Sequence, residues 1–157
     1  MRHTISVLVE NKFGVLARVA GLFSARGYNI ASLAVSETMD PSISYMTIVV
    51  EAKDEKILEQ IKKQLNKLID VISVTDFTKK EYVDRELILA KVSYSAKEKA
   101  KLENILSKYV GKIIKHEGDT AIIEAVGGQE QIKELLEALN NFGIKELIRT
   151  GRIAMTQ

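Results

Sequence analysis

The chain has 157 residues, 46% of them hydrophobic and 28% charged, which fits one ordinary globular domain or two small ones. Its 23 basic and 21 acidic residues leave a net charge of +2, too balanced for the basic face that duplex DNA requires. The chain contains no cysteine, which excludes disulfides, thiolate zinc sites and a cysteine nucleophile. No apolar run approaches the ~20 residues of a membrane span, so we expect a cytoplasmic protein with no membrane partner.

The first half of the chain predicts the order strand, helix, strand, strand, helix, strand. Alternating apolar residues predict the strands, and apolar residues at spacings of three, four and seven predict the first helix, which ends at Gly27. Asp54 is expected to cap the second helix. The elements are a strand over 3–10, a helix opening at Gly14, strands over 28–37 and 43–51 joined by a turn around Pro41, a helix after Asp54, and a strand over 71–78.

The second half repeats this order after a charged connector over 79–84. Its elements are a strand over 85–94, a helix over 97–109, a hairpin of 110–116 and 120–126, a helix over 129–141, and a strand over 144–155. The order βαββαβ predicts a ferredoxin-like α+β fold, an antiparallel sheet with two helices on one face. We therefore predict two such domains, over residues 1–79 and 80–157.

The second strand of the first half, over 28–37, is expected at an edge of its sheet. It is long and carries several apolar residues, and an open edge of this kind would aggregate. Pairing with the same strand of a second copy would cover it with twofold symmetry. The sequence therefore predicts a homodimer through the first domain.

A search for catalytic groups finds little. His3 and His116 lie about a domain apart without a second ligand at metal spacing, so both are expected at the surface and no metal site is predicted. Nucleophile elbows, phosphate loops and paired-carboxylate motifs are absent. The predicted central strands carry Ile, Val and Leu rather than the aromatic residues of an RNA-binding sheet. An enzyme and a nucleic-acid-binding protein are thus both disfavoured.

One turn has the character of a binding site. Gly14 allows a close backbone approach, and free N–H groups of Val15, Leu16 and Ala17 at a helix start would seat a carboxylate. Asn11 offers a donor and an acceptor to a zwitterion, and Asn29 would offer the same from across a dimer interface. An apolar ligand side chain would lie between Val15, Leu16 and Ile30. An ordinary Asn/Gly turn explains the same residues.

The sequence resembles the ACT domain and, more closely, the small regulatory subunits of acetolactate synthase (acetohydroxyacid synthase). The resemblance is dense over the first ~85 residues and looser beyond them, which makes it more specific than a lone motif. It is carried by Glu10-Asn11, Gly14 to Val19, Gly21 to Ile30, Ser32-Leu33, Asp40-Pro41, Met46-Thr47-Ile48, Glu59 to Leu65, Lys67 to Val71, Arg85-Glu86-Leu87 and Arg149 to Arg152.

This resemblance implies a subunit without an active site or cofactor of its own. Such subunits bind a large catalytic subunit that carries thiamine diphosphate, Mg²⁺ and FAD. They raise its activity and confer feedback inhibition by valine in branched-chain amino-acid biosynthesis. Effector sites of the family lie between two ACT domains, and the matching effector-binding residues here are Asn11, Gly14, Val15, Leu16, Asn29 and Ile30.

Two positions depart from the family pattern, and one alternative function stays open. Ala17 stands where relatives often have serine, and Ala31 where glutamate is common, which leaves effector affinity and choice open. The alternative is a stand-alone ACT-domain sensor that regulates another amino-acid enzyme or a transcription factor.

Overall fold

The structure, a computed structural model, describes residues 2–53 and 55–156. These residues form two compact units, the first running to Val83 and resuming at Arg152, the second spanning Asp84–Gly151. The elements are β1 (Arg2–Glu10), α1 (Val15–Ser24), β2 (Asn29–Glu37), β3 (Ile43–Glu51), α2 (Glu55–Leu65), β4 (Val71–Asp76), β5 (Tyr82–Ser93), a 3₁₀ turn (Ala96–Glu98), α3 (Lys99–Leu106), β6 (Val110–Glu117), β7 (Thr120–Gly127), α4 (Gln129–Asn140), β8 (Ile144–Arg149) and β9 (Ile153–Thr156).

The first unit is an antiparallel sheet of order β2-β3-β1-β4. Alternation along β1 and β3 places one set of apolar side chains on the face that α1 and α2 cover. This core contains Ile5, Val7, Val9, Met46, Ile48 and Val50 from the sheet, with Val15, Val19, Leu22, Phe23, Leu58, Ile61 and Leu65 from the helices. The predicted ferredoxin-like fold is confirmed, and β2 lies at the edge as predicted.

The second unit repeats this arrangement with a sheet of order β6-β7-β5-β8. Its core joins the central strands to α3 and α4 and contains Ile88, Ala90, Val92, Leu102, Leu106, Ala121, Ile123, Ala125, Ile132, Leu135, Leu139 and Phe142. In the first half of β5 the buried Glu86 carboxylate accepts hydrogen bonds from Arg149 at 2.7 and 2.6 Å. This pairing raises the pKa of the Arg149 guanidinium, through the hydrogen bond to Glu86 and against the opposing effect of burial.

Some predicted boundaries differ from the structure. The predicted helix over 97–109 begins as a 3₁₀ turn, because the Glu98 carboxylate accepts hydrogen bonds from the backbone N–H and the hydroxyl of Ser95. At its other end, α3 stops at Leu106. The predicted strand over 144–155 is broken into β8 and β9, because Gly151 adopts a left-handed backbone with φ +85°. The predicted cap at Asp54 lies outside the described residues.

His3 is buried rather than at the surface, which corrects the prediction. It lies on β1 opposite Val50 of β3 and retains only 6% exposure. Its Nδ1 lies 3.2 Å from the Thr78 hydroxyl, and its Nε2 has no partner among the described residues. Side chains alternate between the two faces of β1, so His3 and Ile5 lie on the same face. The imidazole therefore lies on the face that the helices cover. His116 is exposed, as expected.

The C-terminal segment belongs to the first unit although the residues before it belong to the second. The backbone N–H of Arg152 donates to the Ser32 hydroxyl at 3.0 Å, and its guanidinium donates to the Thr4 hydroxyl at 2.9 Å. The Tyr45 hydroxyl donates to the Ala154 carbonyl at 2.9 Å. Residues 152–156 thus contact β1, β2 and β3 of the first sheet.

Candidate functional site

The loop between β1 and α1 has the conformation that the sequence predicts at its glycine. Gly14 precedes α1 with φ +79° and ψ −2°, a left-handed backbone that L side chains rarely adopt. A Cβ at this position would also lie 3.0 Å from Arg18 Nη1. The backbone therefore favours glycine here, and a larger residue would also have to displace the end of the Arg18 side chain.

The start of α1 presents two unpaired backbone donors rather than the predicted three. The N–H of Val15 donates to the Lys12 carbonyl at 3.3 Å, because residues 12–15 form a tight turn, so it is not free. The first bond of the helix joins the Arg18 N–H to the Gly14 carbonyl at 3.0 Å. Among the described residues nothing accepts the N–H groups of Leu16 and Ala17, which leaves these two to receive an anion.

Asn11 has a structural role that the sequence did not predict. Its backbone N–H donates to the Ser42 carbonyl at 2.7 Å, and its side-chain amide donates to the Pro41 carbonyl at 2.9 Å. The amide is thus committed through one N–H to the turn between β2 and β3. Its oxygen accepts nothing from the described residues and stays available to a donor.

A cleft of about 310 Å³ opens beside this loop, at the small end of the range typical of ligand pockets. Its apolar part comes from α1 and the strands, and its polar part comes mainly from the loop and from the ends of β2 and β3. The lining consists of Val9, Glu10, Asn11, Lys12, Val15, Leu16, Val35, Ser36, Glu37, Ser44 and Met46. Asn11, Val15 and Leu16 were identified from the sequence, whereas the residues from β2 and β3 were not.

The cationic group at the cleft is already paired. Lys12 Nζ donates to Glu10 Oε2 at 2.7 Å, and this hydrogen bond, aided by the charge of Glu10, raises the pKa of the Lys12 ammonium. Both side chains are largely exposed, so the pair is screened by water. The cleft therefore offers both signs of charge beside apolar side chains such as Val15 and Met46.

Asn29 and Ile30 lie at the opposite end of the sheet from the cleft. In the register of β2 and β3, Asn29 is opposite Glu51 whereas Glu37 is opposite Ser44. The Asn29 amide donates to Glu51 at 3.3 Å, and Ile30 packs against the core of its own unit. Within one chain these two residues do not join the cleft, so their predicted role requires a second copy.

Comparisons with known proteins agree with this fold along its length. The family model described as "AHAS small subunit-like ACT domain" matches residues 5–73, and "Small subunit of acetolactate synthase" matches residues 85–157. The two matches together cover most of the chain. They define a protein of two parts, with the ACT domain first. Separately, no described helix is long and apolar enough to cross a membrane.

Relatives match over nearly the whole chain. A probable acetolactate synthase small subunit of Archaeoglobus fulgidus is 45% identical over all of this chain and 98% of its own length. A second, from Methanothermobacter thermautotrophicus, is 47% identical over 99% of this chain and 92% of its own. The crystal structure of the acetolactate synthase small subunit from Thermotoga maritima superposes with a TM-score of 0.87 at 36% identity, covering 100% of this chain and 98% of that one. The chain belongs to the family of acetolactate synthase small subunits.

Proposed function

We propose that this chain activates the large catalytic subunit of acetolactate synthase and makes it sensitive to feedback inhibition by valine. Family membership supports a regulatory subunit with a catalytic large subunit as its partner. Thiamine diphosphate, Mg²⁺ and FAD would all reside on that large subunit. The observation that carries the valine proposal is the cleft, which Leu16 lines with its unpaired N–H at the helix start, next to Ala17 and beside the apolar Val15 and Val35.

The groups around the cleft match the parts of a small apolar amino acid. The carboxylate would accept the N–H groups of Leu16 and Ala17, where the helix dipole also favours negative charge. The ammonium would donate to the free amide oxygen of Asn11. An aliphatic side chain would pack on Val15 and Val35, which line the cleft. The apolar patch formed by Val15 and Val35 favours an aliphatic side chain such as that of valine over a charged one, which would lose hydration against it.

A second copy of the chain would complete the site. β2 is an edge strand, and pairing two β2 strands antiparallel about a twofold axis brings the beginning of one strand to the end of the other. The partner's Asn29 would then approach Glu37 at the cleft. Valine would bridge two ACT domains and stabilise one dimer geometry, and only its differential affinity for the two geometries would change catalytic activity.

Gly14 provides the test of the site. Gly14→Asp places a carboxylate beside that of the ligand, so in the reconstituted holoenzyme the half-inhibitory valine concentration should rise beyond about a hundredfold. Activation of the catalytic subunit without valine should persist. Gly14→Asn is the matched control, because asparagine has the same shape, lacks the charge and tolerates a positive φ.

The two variants separate charge from distortion of the loop. We expect Gly14→Asn to retain a valine response, weakened by the Cβ that approaches Arg18. Equal losses in both variants would mean that distortion, rather than repulsion of a carboxylate, abolishes the response. A Gly14→Asp holoenzyme as valine-sensitive as the parent would show that valine binds elsewhere.

A further inference from the structure

Asp70 is a buried carboxylate in the loop between α2 and β4. The residue is only 7% exposed, its Oδ2 accepts a hydrogen bond from Arg18 Nε at 2.9 Å, and the same oxygen forms an ion pair with Arg18 Nη2 at 2.7 Å. A buried carboxylate is stable only when it is paired and hydrogen-bonded. Arg18 therefore cannot leave Asp70 without exposing an uncompensated charge in the interior.

The backbone of Asp70 makes a second connection. Its carbonyl accepts the N–H of Glu10, the last residue of β1, at 2.9 Å. Glu10 immediately precedes the loop over residues 11–14, and Arg18 lies one turn into the helix that follows it. Asp70 consequently holds both ends of the loop, one through its backbone and the other through its side chain.

Arg18 also contacts Gly14, the last residue of the loop. Its N–H donates to the Gly14 carbonyl, and its Nη1 lies 3.0 Å from the position that a Cβ of Gly14 would occupy. The guanidinium thus spans from Asp70 back to Gly14. Neither Arg18 nor Asp70 lines the cleft, so any effect of this pair on a ligand must act through the loop.

We propose that Asp70 and Arg18 are positioning residues for the effector site: they fix the loop over 11–14 so that the N–H groups of Leu16 and Ala17 and the oxygen of Asn11 face one ligand. This inference rests on the effector site proposed above. Correct placement of donors before binding lowers the cost of ordering them, so loosening the loop weakens affinity without removing a ligand contact.

The first test measures the loop without any ligand. Asp70→Asn removes the charge but keeps the shape, and hydrogen exchange of the hydrogen-bonded amides within residues 11–18, those of Asn11, Val15 and Arg18 among them, should accelerate at least about tenfold in the full chain. Asp76→Asn is the matched control: Asp76 is a half-buried carboxylate of the same unit that pairs with Lys62. Its loss should leave exchange of residues 11–18 unchanged. Equal acceleration in both variants, or none in Asp70→Asn, overturns the proposal.

The second test measures valine inhibition of the reconstituted holoenzyme. Asp70→Asn should raise the half-inhibitory concentration about tenfold, whereas Asp76→Asn should leave it within about twofold. Arg18→Lys keeps a cation for Asp70, so it should retain more sensitivity than Arg18→Gln. Equal sensitivity of these two variants would overturn the role of the ion pair even if Asp70→Asn failed to fold.

The outcomes also distinguish this inference from the proposed function. If the parent holoenzyme ignores valine while Asp70→Asn still loosens the loop, the fixing of the loop stands and the valine proposal fails. If the parent responds and Gly14→Asp does not, but Asp70→Asn behaves like the parent in both measurements, the effector site stands and the positioning role fails.

Discussion

Asp76, the last residue of β4, is a carboxylate that its neighbours hold in the charged form. Its Oδ1 accepts the N–H of Thr78 at 2.9 Å and the hydroxyl of Thr78 at 2.7 Å, and its Oδ2 lies 3.3 Å from Lys62 Nζ. Burial acts to raise the pKa of the Asp76 carboxyl. Together, the hydrogen bonds from Thr78 and the nearby Lys62 ammonium lower the pKa by more than burial raises it, so the pKa of Asp76 lies below its ordinary value of 3.8.

The lowered pKa links folding to acidity with a definite sign. A carboxyl whose pKa is lower in the folded state stabilises the fold above the unfolded pKa. That contribution should be lost as the pH falls from 3.8 through the folded value. Asp76→Asn keeps an oxygen for Thr78 and removes the charge, so it should cost about 1 kcal/mol at neutral pH.

The same substitution should remove part of the acid sensitivity of the fold. Urea unfolding at neutral pH and below pH 3.8 measures both effects. The free energies of unfolding of parent and variant should converge in acid. A constant difference between them across this range would mean that the charge of Asp76 contributes nothing to stability.

At the scale of the elements, β2 is exposed along one side. Val35 retains 42% exposure near the end of this strand and also lines the cleft. Val35→Lys should separate the predicted dimer, because a lysine on a strand edge prevents pairing with another strand. Sedimentation of the full chain measures the change in mass.

The opposite edge of the same sheet supplies the control. Ile72 of β4 is 51% exposed, so Ile72→Lys changes a comparable side chain on the edge strand that the predicted dimer does not use. This variant should sediment as the parent does. A dimer that survives Val35→Lys and dissociates with Ile72→Lys would assign the interface to β4.

Local patterns predicted the order of the elements well, because periodicity and glycine positions are properties of neighbouring residues. Gly14 and Gly27 mark the bounds of α1, and both adopt the positive φ that glycine permits. The burial of His3 and the cleft residues Val35 and Ser44 were missed. They depend on the register between strands distant in sequence, which the sequence of one strand does not specify.

At the scale of the whole molecule, the chain leaves the first unit at Val83 and returns to it at Arg152. The hydrogen bond from the Tyr45 hydroxyl to the Ala154 carbonyl is one anchor of the returning segment. Tyr45→Phe removes this donor and leaves a carbonyl without its partner, so it should cost about 1 kcal/mol of stability.

Hydrogen exchange of residues 153–156 should report the loss, with faster exchange in Tyr45→Phe than in the parent. Tyr28→Phe is the control, because the Tyr28 hydroxyl makes only a long, exposed contact of 3.4 Å with Gln60 in the same unit. It should leave exchange of the C-terminal segment unchanged. Equal exchange in all three proteins would mean that Ala154 is held by other contacts.

The returning segment has a consequence for biosynthesis. Thr4 leaves the ribosome long before Arg152, its hydrogen-bond partner, which lies 148 positions later. The first unit therefore cannot complete its native contacts until residues 152–156 have been synthesised, although the rest of its sequence is synthesised before Asp84. The intervening unit, whose residues are contiguous, can fold before the domain that precedes it is complete. A ribosome stalled before residue 152 would hold a second unit whose residues have all been synthesised and a first unit that still lacks its hydrogen bonds to Arg152 and Ala154.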